Sequence, residues 1–162
     1  MSEHDAKRPQ NHSQDRPWYP FRFAERCLYE FPENKARLEG LRETLNLLDE
    51  ASSAATQKFD APSAHTATSD NVSARLLRIE AAEEEIARLE RRVKPIQRLL
   101  DDLEAPYVLD GSPKSDLLKI LRLYYFGGNV SVAVARSLYI NKRTLLRKRD
   151  ELVRMAVRYL GL

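Results

Sequence analysis

The chain has 162 residues, 43% of them apolar and 31% charged, with only five glycines. That balance suits bundled helices better than a strand-rich fold, and the length suits one ordinary domain or two small ones. No apolar run approaches the ~18 residues a membrane span needs, and residues 1–17 hold no apolar signal core. Cys27 is the only cysteine, which excludes an internal disulfide. His4, His12 and His65 are too scattered for zinc-ligand spacing. A cytoplasmic, reducing setting without membrane, metal or cofactor is expected.

The net charge of +3 hides an asymmetry. Of 27 Lys and Arg and 24 Asp and Glu, eleven basic and three acidic residues fall between Pro113 and Leu162. That leaves sixteen basic and twenty-one acidic residues before them, so a C-terminal unit of +8 follows an N-terminal part of −5. A compact basic unit points to a partner rich in phosphate.

In chain order, residues 1–17 are polar and read as a disordered tail. Trp18, Tyr19, Phe21 and Phe23 start ordered structure, and residues 18–50 read as two helices. The first stops at Pro32. The second runs from there to Glu50 with a stripe of Leu38, Leu41, Leu45 and Leu48. Residues 51–71 are small and polar and read as a flexible linker, either a plain connector or an arm that orders on a partner. Residues 72–104 form a long amphipathic helix. Its seam is Ile79, Ala82, Ile86, Leu89, Val93, Ile96, Leu100 and Leu103, with a kink or break expected at Pro95. That heptad seam needs a partner helix: the leucine stripe at 38–48, or a second copy in a homo-oligomer. Residues 104–114 carry Pro, Gly and Ser and read as a loop.

Residues 113–162 read as a three-helix helix-turn-helix domain. Ser115 or Asp116 caps the first helix, Leu117, Ile120, Leu121 and Tyr124 face the core, and Gly127 and Gly128 end it. Asn129 or Ser131 caps the second helix, whose Val130, Val134 and Leu138 share one face, with Ala135 at the helix crossing. Ile140 points inward after the turn, and Asn141 caps the third helix. That helix buries Leu145, Leu152, Ala156 and Tyr159 and turns Lys142, Arg143, Leu146, Arg147 and Asp150 outward. The expected fold is thus all-α, an N-terminal helical hairpin or coiled-coil-like region joined to this C-terminal domain.

The start of such a third helix reads base edges in the DNA major groove. Lys142, Arg143, Leu146 and Arg147 are the candidate base readers, since they face outward and an Arg fork at 143 or 147 matches guanine O6 and N7. Thr144, Lys148 and Arg149 are the candidate phosphate contacts, and Lys142 can serve there too. Two positions depart from a generic pattern. Tyr139 stands in the turn where glycine is common. Lys148 stands where an apolar residue is common, so its stem packs while its ammonium reaches water.

These residues resemble the phage late-gene transcriptional regulators of the RinA and ArpU type, sigma-factor-like activators. The resemblance rests on LRLYYF and on LYINKRTLLRKRDELVRMAVRYLGL. Leu138, Tyr139, Ile140, Asn141, Lys142, Arg143 and Thr144 occupy the family's "L-Tyr-aliphatic-Ser-Arg-Arg-Thr" entry, and Leu160 and Gly161 its Leu-Gly ending. Asn141 replaces the usual Ser and keeps the capping role. The likeness is specific over about residues 110–162 and only architectural before that. It implies an activator in a bacterial host cell that acts through double-stranded promoter DNA and bacterial RNA polymerase.

Two other classes compete with a transcriptional regulator. A phage DNA-packaging adaptor, like a small terminase subunit, also joins a helix-turn-helix to oligomerising helices. A helical scaffold without nucleic acid needs no basic surface at all. An enzyme is not expected: there is no Gly-rich phosphate loop, no Ser/His/Asp set and no metal-ligand cluster. Glu83, Glu84 and Glu85 fan around a helix and read as a solvated face, not as paired catalytic carboxylates.

Overall fold

The computed structural model describes residues 19–56, 67–105 and 112–162, with side chains over 19–50, 72–105 and 112–162. The expected tail at 1–17 lies outside the described residues. Every regular element among the described residues is helical, so the chain is all-α. In order these are α1 (Tyr19–Thr56), α2 (Ala67–Leu103), α3 (Pro113–Ile120) with a π-helical continuation (Leu121–Phe126), α4 (Ser131–Ser137) and α5 (Lys142–Leu160).

Pro32 does not end a helix as expected, and Pro95 does not break one. Pro32 lies inside α1 and Pro95 inside α2, and neither ends its helix. An internal proline costs about 3 kcal/mol through the lost hydrogen bond and the ring's clash with the preceding turn. Here Ala24, Cys27, Leu28 and Phe31 are buried before Pro32, and Leu38 after it. Leu89 and Val93 are buried before Pro95, and Ile96, Leu99 and Leu103 after it. Burying several such side chains, at about 1.5–3 kcal/mol each, outweighs the local cost and holds both halves of each helix to one core. The expected linker at 51–71 is also helical at both ends, because α1 runs to Thr56 and α2 begins at Ala67. Residues 57–66 lie outside the described residues.

The heptad seam finds its partner within the chain. Glu30 pairs with Arg92, Arg37 with Glu85, and Arg75 reaches the carbonyl of Leu48. Partner numbers fall as α1 advances, so α1 and α2 run antiparallel. Leu89, Val93, Ile96 and Leu103 of the seam are buried, while Ile79, Ala82, Ile86 and Leu100 are half-buried. On α1, Leu38 is buried and Leu41, Leu45 and Leu48 are half-buried.

The basic C-terminal residues close the same core. Leu117, Ile120, Leu121, Tyr125, Val134, Ala135, Leu145, Leu152, Val153 and Ala156 form one cluster with the buried residues of α1 and α2, and α5 packs against both long helices. The π-helical stretch decides which aromatic enters. Gly127 N–H donates to the carbonyl of Arg122, five residues back. This wider turn shifts the phase by one residue. Tyr125 is buried where Tyr124 was expected, and Tyr124 is half-buried. Phe126 stacks on Phe31 with ring centroids 5.1 Å apart, and Tyr29 meets Tyr125 edge-on at 4.7 Å.

Candidate nucleic-acid interface

The candidate interface comprises α4, the turn after it and the first half of α5. Its frame depends on caps, and two of them differ from expectation. Ser112, not Ser115 or Asp116, caps α3: its hydroxyl accepts from Ser115 N–H at 3.2 Å, with Pro113 at the first helical position. A serine before proline suits this role, because proline needs no donor partner there. Asn129 does not cap α4. Its side-chain amide donates to the carbonyl of Leu123 at 2.8 Å and so closes the end of the preceding helix. Val130 stands at the start of α4 with no side-chain cap and is exposed, so it does not share the buried face of Val134. Gly128 supplies the positive φ of 64° in this turn. Gly127 has φ −88°, and its constraint is space instead: a Cβ there would lie 3.0 Å from the carbonyl oxygen of Leu123.

The third cap is as expected. Asn141 Oδ1 accepts from Thr144 N–H at 2.7 Å, a bond worth about 1 kcal/mol to a helix start. Gly161 ends α5 in the left-handed region at φ 70°. Between these caps Leu145, Leu152, Val153 and Ala156 are buried. Tyr159 is exposed, not buried as expected, and Val153 takes the inner place. Two apolar neighbours at 152 and 153 bring α5 against α1 and α2 together, which a stripe drawn for one partner helix does not capture.

Lys142, Arg143, Leu146 and Arg147, the candidate base readers, are all exposed. Thr144 is half-buried beneath the cap. Asn141, Arg143, Thr144, Arg147 and Asp150 line one shallow hollow on the outer side of α5. Arg143, Arg147, Arg154 and Arg158 follow at helical spacing down that side, with Asp150 among them.

Lys148 and Arg149 are placed elsewhere. The Lys148 ammonium donates to Asp116 of α3 at 2.9 Å, and its side chain is only 16% exposed. The Arg149 guanidinium donates to Glu25 of α1 at 2.8 Å, lies 4.1 Å above the Tyr124 ring, and is also 16% exposed. Burial works against its charge, but Tyr125, Tyr124 and Glu25 together outweigh that and raise its pKa above the ordinary arginine value. Both residues face inward and hold α5 in place, so the expected phosphate-contact role does not suit them.

Ten of the eleven cations of the basic unit therefore fall into two sets. Lys114 pairs with Asp102, Arg122 with Glu104, Lys148 with Asp116 and Arg149 with Glu25. Three of those four acids, Glu25, Asp102 and Glu104, precede the basic unit, so the acidic N-terminal part neutralises part of its charge. Arg136, Lys142, Arg143, Arg147, Arg154 and Arg158 are exposed and have no ion-pair partner among the described residues. Arg136 is not among the residues expected at the interface from sequence. Its position near the end of α4, beside the turn, was the available signal.

Among the described residues no group of His, Cys, Asp or Glu is arranged to hold a metal ion, and no helix is long and apolar enough to cross a membrane. The chain matches no family model, and no curated protein or solved structure matches it.

Proposed function

We propose that this chain is a sequence-specific, DNA-binding transcriptional regulator that uses α4, the turn and α5 as a helix-turn-helix. The observation that carries the reading is the division of charge. Of the eleven cations of the basic unit, four are held in ion pairs within the chain, while six remain unpaired on α4 and the outer side of α5. A scaffold has no use for an unpaired stripe of this kind, which adds self-repulsion to the folded state. A polyanion relieves it.

On this reading Arg136 and Lys142 grip phosphates, while Arg143, Leu146 and Arg147 face base edges. The resemblance to RinA and ArpU regulators extends the proposal to activation of phage late genes with bacterial RNA polymerase in the host cytoplasm. The full chain is the proper test molecule, since α5 shares its core with α1 and α2. Titrated on duplex DNA, it should bind with affinity that falls steeply as salt rises. If about six phosphates are neutralised, the log–log slope is near −5. A flat salt response, or no binding at about 50 mM salt, would sink the reading.

The proposal includes a homo-oligomer. The rest of the chain covers most of the α2 seam, yet Leu47, Val72, Leu76 and Leu77 remain exposed near the far ends of the two long helices. Val72 and Leu76 continue the spacing of the covered seam, so a second copy joined there meets a surface of matching period. Two copies also present paired recognition helices to a symmetric site. Sedimentation equilibrium should show a dimer or larger species, and a monomer both free and on DNA would overturn this part.

A further inference from the structure

We infer that Tyr139 is a DNA-backbone contact, its hydroxyl donating to a phosphate at the rim of the groove that α5 enters; this rests on the DNA-binding reading above. The turn after α4 closes with two backbone hydrogen bonds. Ile140 N–H donates to the carbonyl of Ala135 at 3.0 Å, and Tyr139 N–H donates to that of Arg136 at 3.1 Å. This paired pattern is the Schellman ending of a helix, and it puts the residue after the cap in the left-handed region. Tyr139 holds that place with φ 53°, the only non-glycine residue with positive φ among the described residues. A β-carbon there crowds the backbone, which is why glycine usually fills the position.

The side chain returns nothing inside the protein for that strain. It is 97% exposed, and it makes no hydrogen bond or ring contact among the described residues. Its surroundings point outward. Unpaired Arg136 lies three residues before it and unpaired Lys142 three residues after it, so in the chain Tyr139 is flanked by two cations of the proposed binding face. Strained residues with no local compensation concentrate where a protein meets its partners. An exposed phenol on this turn offers a neutral donor to phosphate oxygen, a contact that positions the protein without reading sequence.

The test is a comparison of the full-length wild type with Tyr139→Gly and Tyr139→Phe. Glycine relieves the backbone, so Tyr139→Gly should melt higher by about 2–4 °C, yet bind duplex DNA about tenfold more weakly. Phenylalanine keeps ring and strain and removes only the donor, so Tyr139→Phe should melt as the wild type and lose most of the same affinity. Because the contact is neutral, the salt slope should not change in either variant. The loss should also be equal on a preferred and a scrambled duplex. Wild-type affinity in both variants would overturn the inference and leave the exposed ring to a protein partner. So would a loss confined to the preferred duplex, which would make Tyr139 a base reader. If the wild type itself fails to bind, the underlying DNA-binding reading has failed instead.

Discussion

Arg149→Ala should lower the stability of the chain by about 2–3 kcal/mol and its Tm by about 5–10 °C. The substitution removes the partner of Glu25 at 2.8 Å and the cation over the Tyr124 ring at 4.1 Å. The Glu25 carboxylate then stays where only 27% of its side chain meets solvent, accepting from Tyr125 alone at 3.3 Å. Breaking a fully buried pair from one side costs about 3–5 kcal/mol, and the residual solvent contact of Glu25 argues for a value below that range. The pair is not stabilising by as much as its loss is destabilising, because the Arg149 Nε is buried without a partner and both charges have left water. Replacing both sides, as in Glu25→Leu with Arg149→Met, should recover most of the loss. Thermal melts of the two single variants and the double variant measure this coupling. A single-variant loss below about 0.5 kcal/mol, the range of ordinary surface changes, would show that water reaches the pair freely.

This pair also shows where sequence reading stops. The all-α class and the placement of α5 were legible because their signals are local: Asn141 and Gly161 mark the ends, and the outward side chains repeat with the helical period. The Arg149 partner lies 124 residues away, and the Lys148 partner 32 residues away, so charge bias could not separate gripping cations from anchoring ones. The unbroken helix at each proline was hidden for the same reason. The proline's cost is local and visible, whereas the packing that offsets it comes from the facing helix. LRLYYF fits a 3.6-residue period as well as a wider one, so nothing in it announced that Tyr125 and not Tyr124 would turn inward. The Ser112–Pro113 start is written in the sequence, but Ser115 and Asp116 sit closer to the apolar run and carry the same capping chemistry. At Tyr139 the departure from glycine was visible in the sequence, but the strain and the full exposure needed the backbone.

Arg147→Ala should leave stability within about 0.5 kcal/mol of the wild type, since its side chain is exposed and unpaired. It should nevertheless cost roughly 1–3 kcal/mol of binding on a preferred DNA site and relax preference at one base position. The contrast with Arg149, two residues on, follows from helix geometry. Two residues turn the side chain by about 200°, from the outer hollow to the inner flank. Arg143 and Arg147 lie about 6 Å apart along the axis, within a major groove about 12 Å wide. Arg158 lies about 22 Å from Arg143, beyond the groove. It belongs to the same unpaired stripe, so Arg158→Ala separates charge from reach. If α5 enters by its N-terminal end, Arg158→Ala should change affinity for either duplex by less than about twofold, within the scatter of surface substitutions. The measurement is a matched set of titrations on a selected site and on a scrambled duplex at one fixed salt concentration. An equal loss on both duplexes for Arg147→Ala would make Arg147 a phosphate contact. A larger loss for Arg158→Ala than for Arg147→Ala would mean that α5 lies along the groove instead of entering it end-on, and the reading residues would then extend to Asp150 and Arg154.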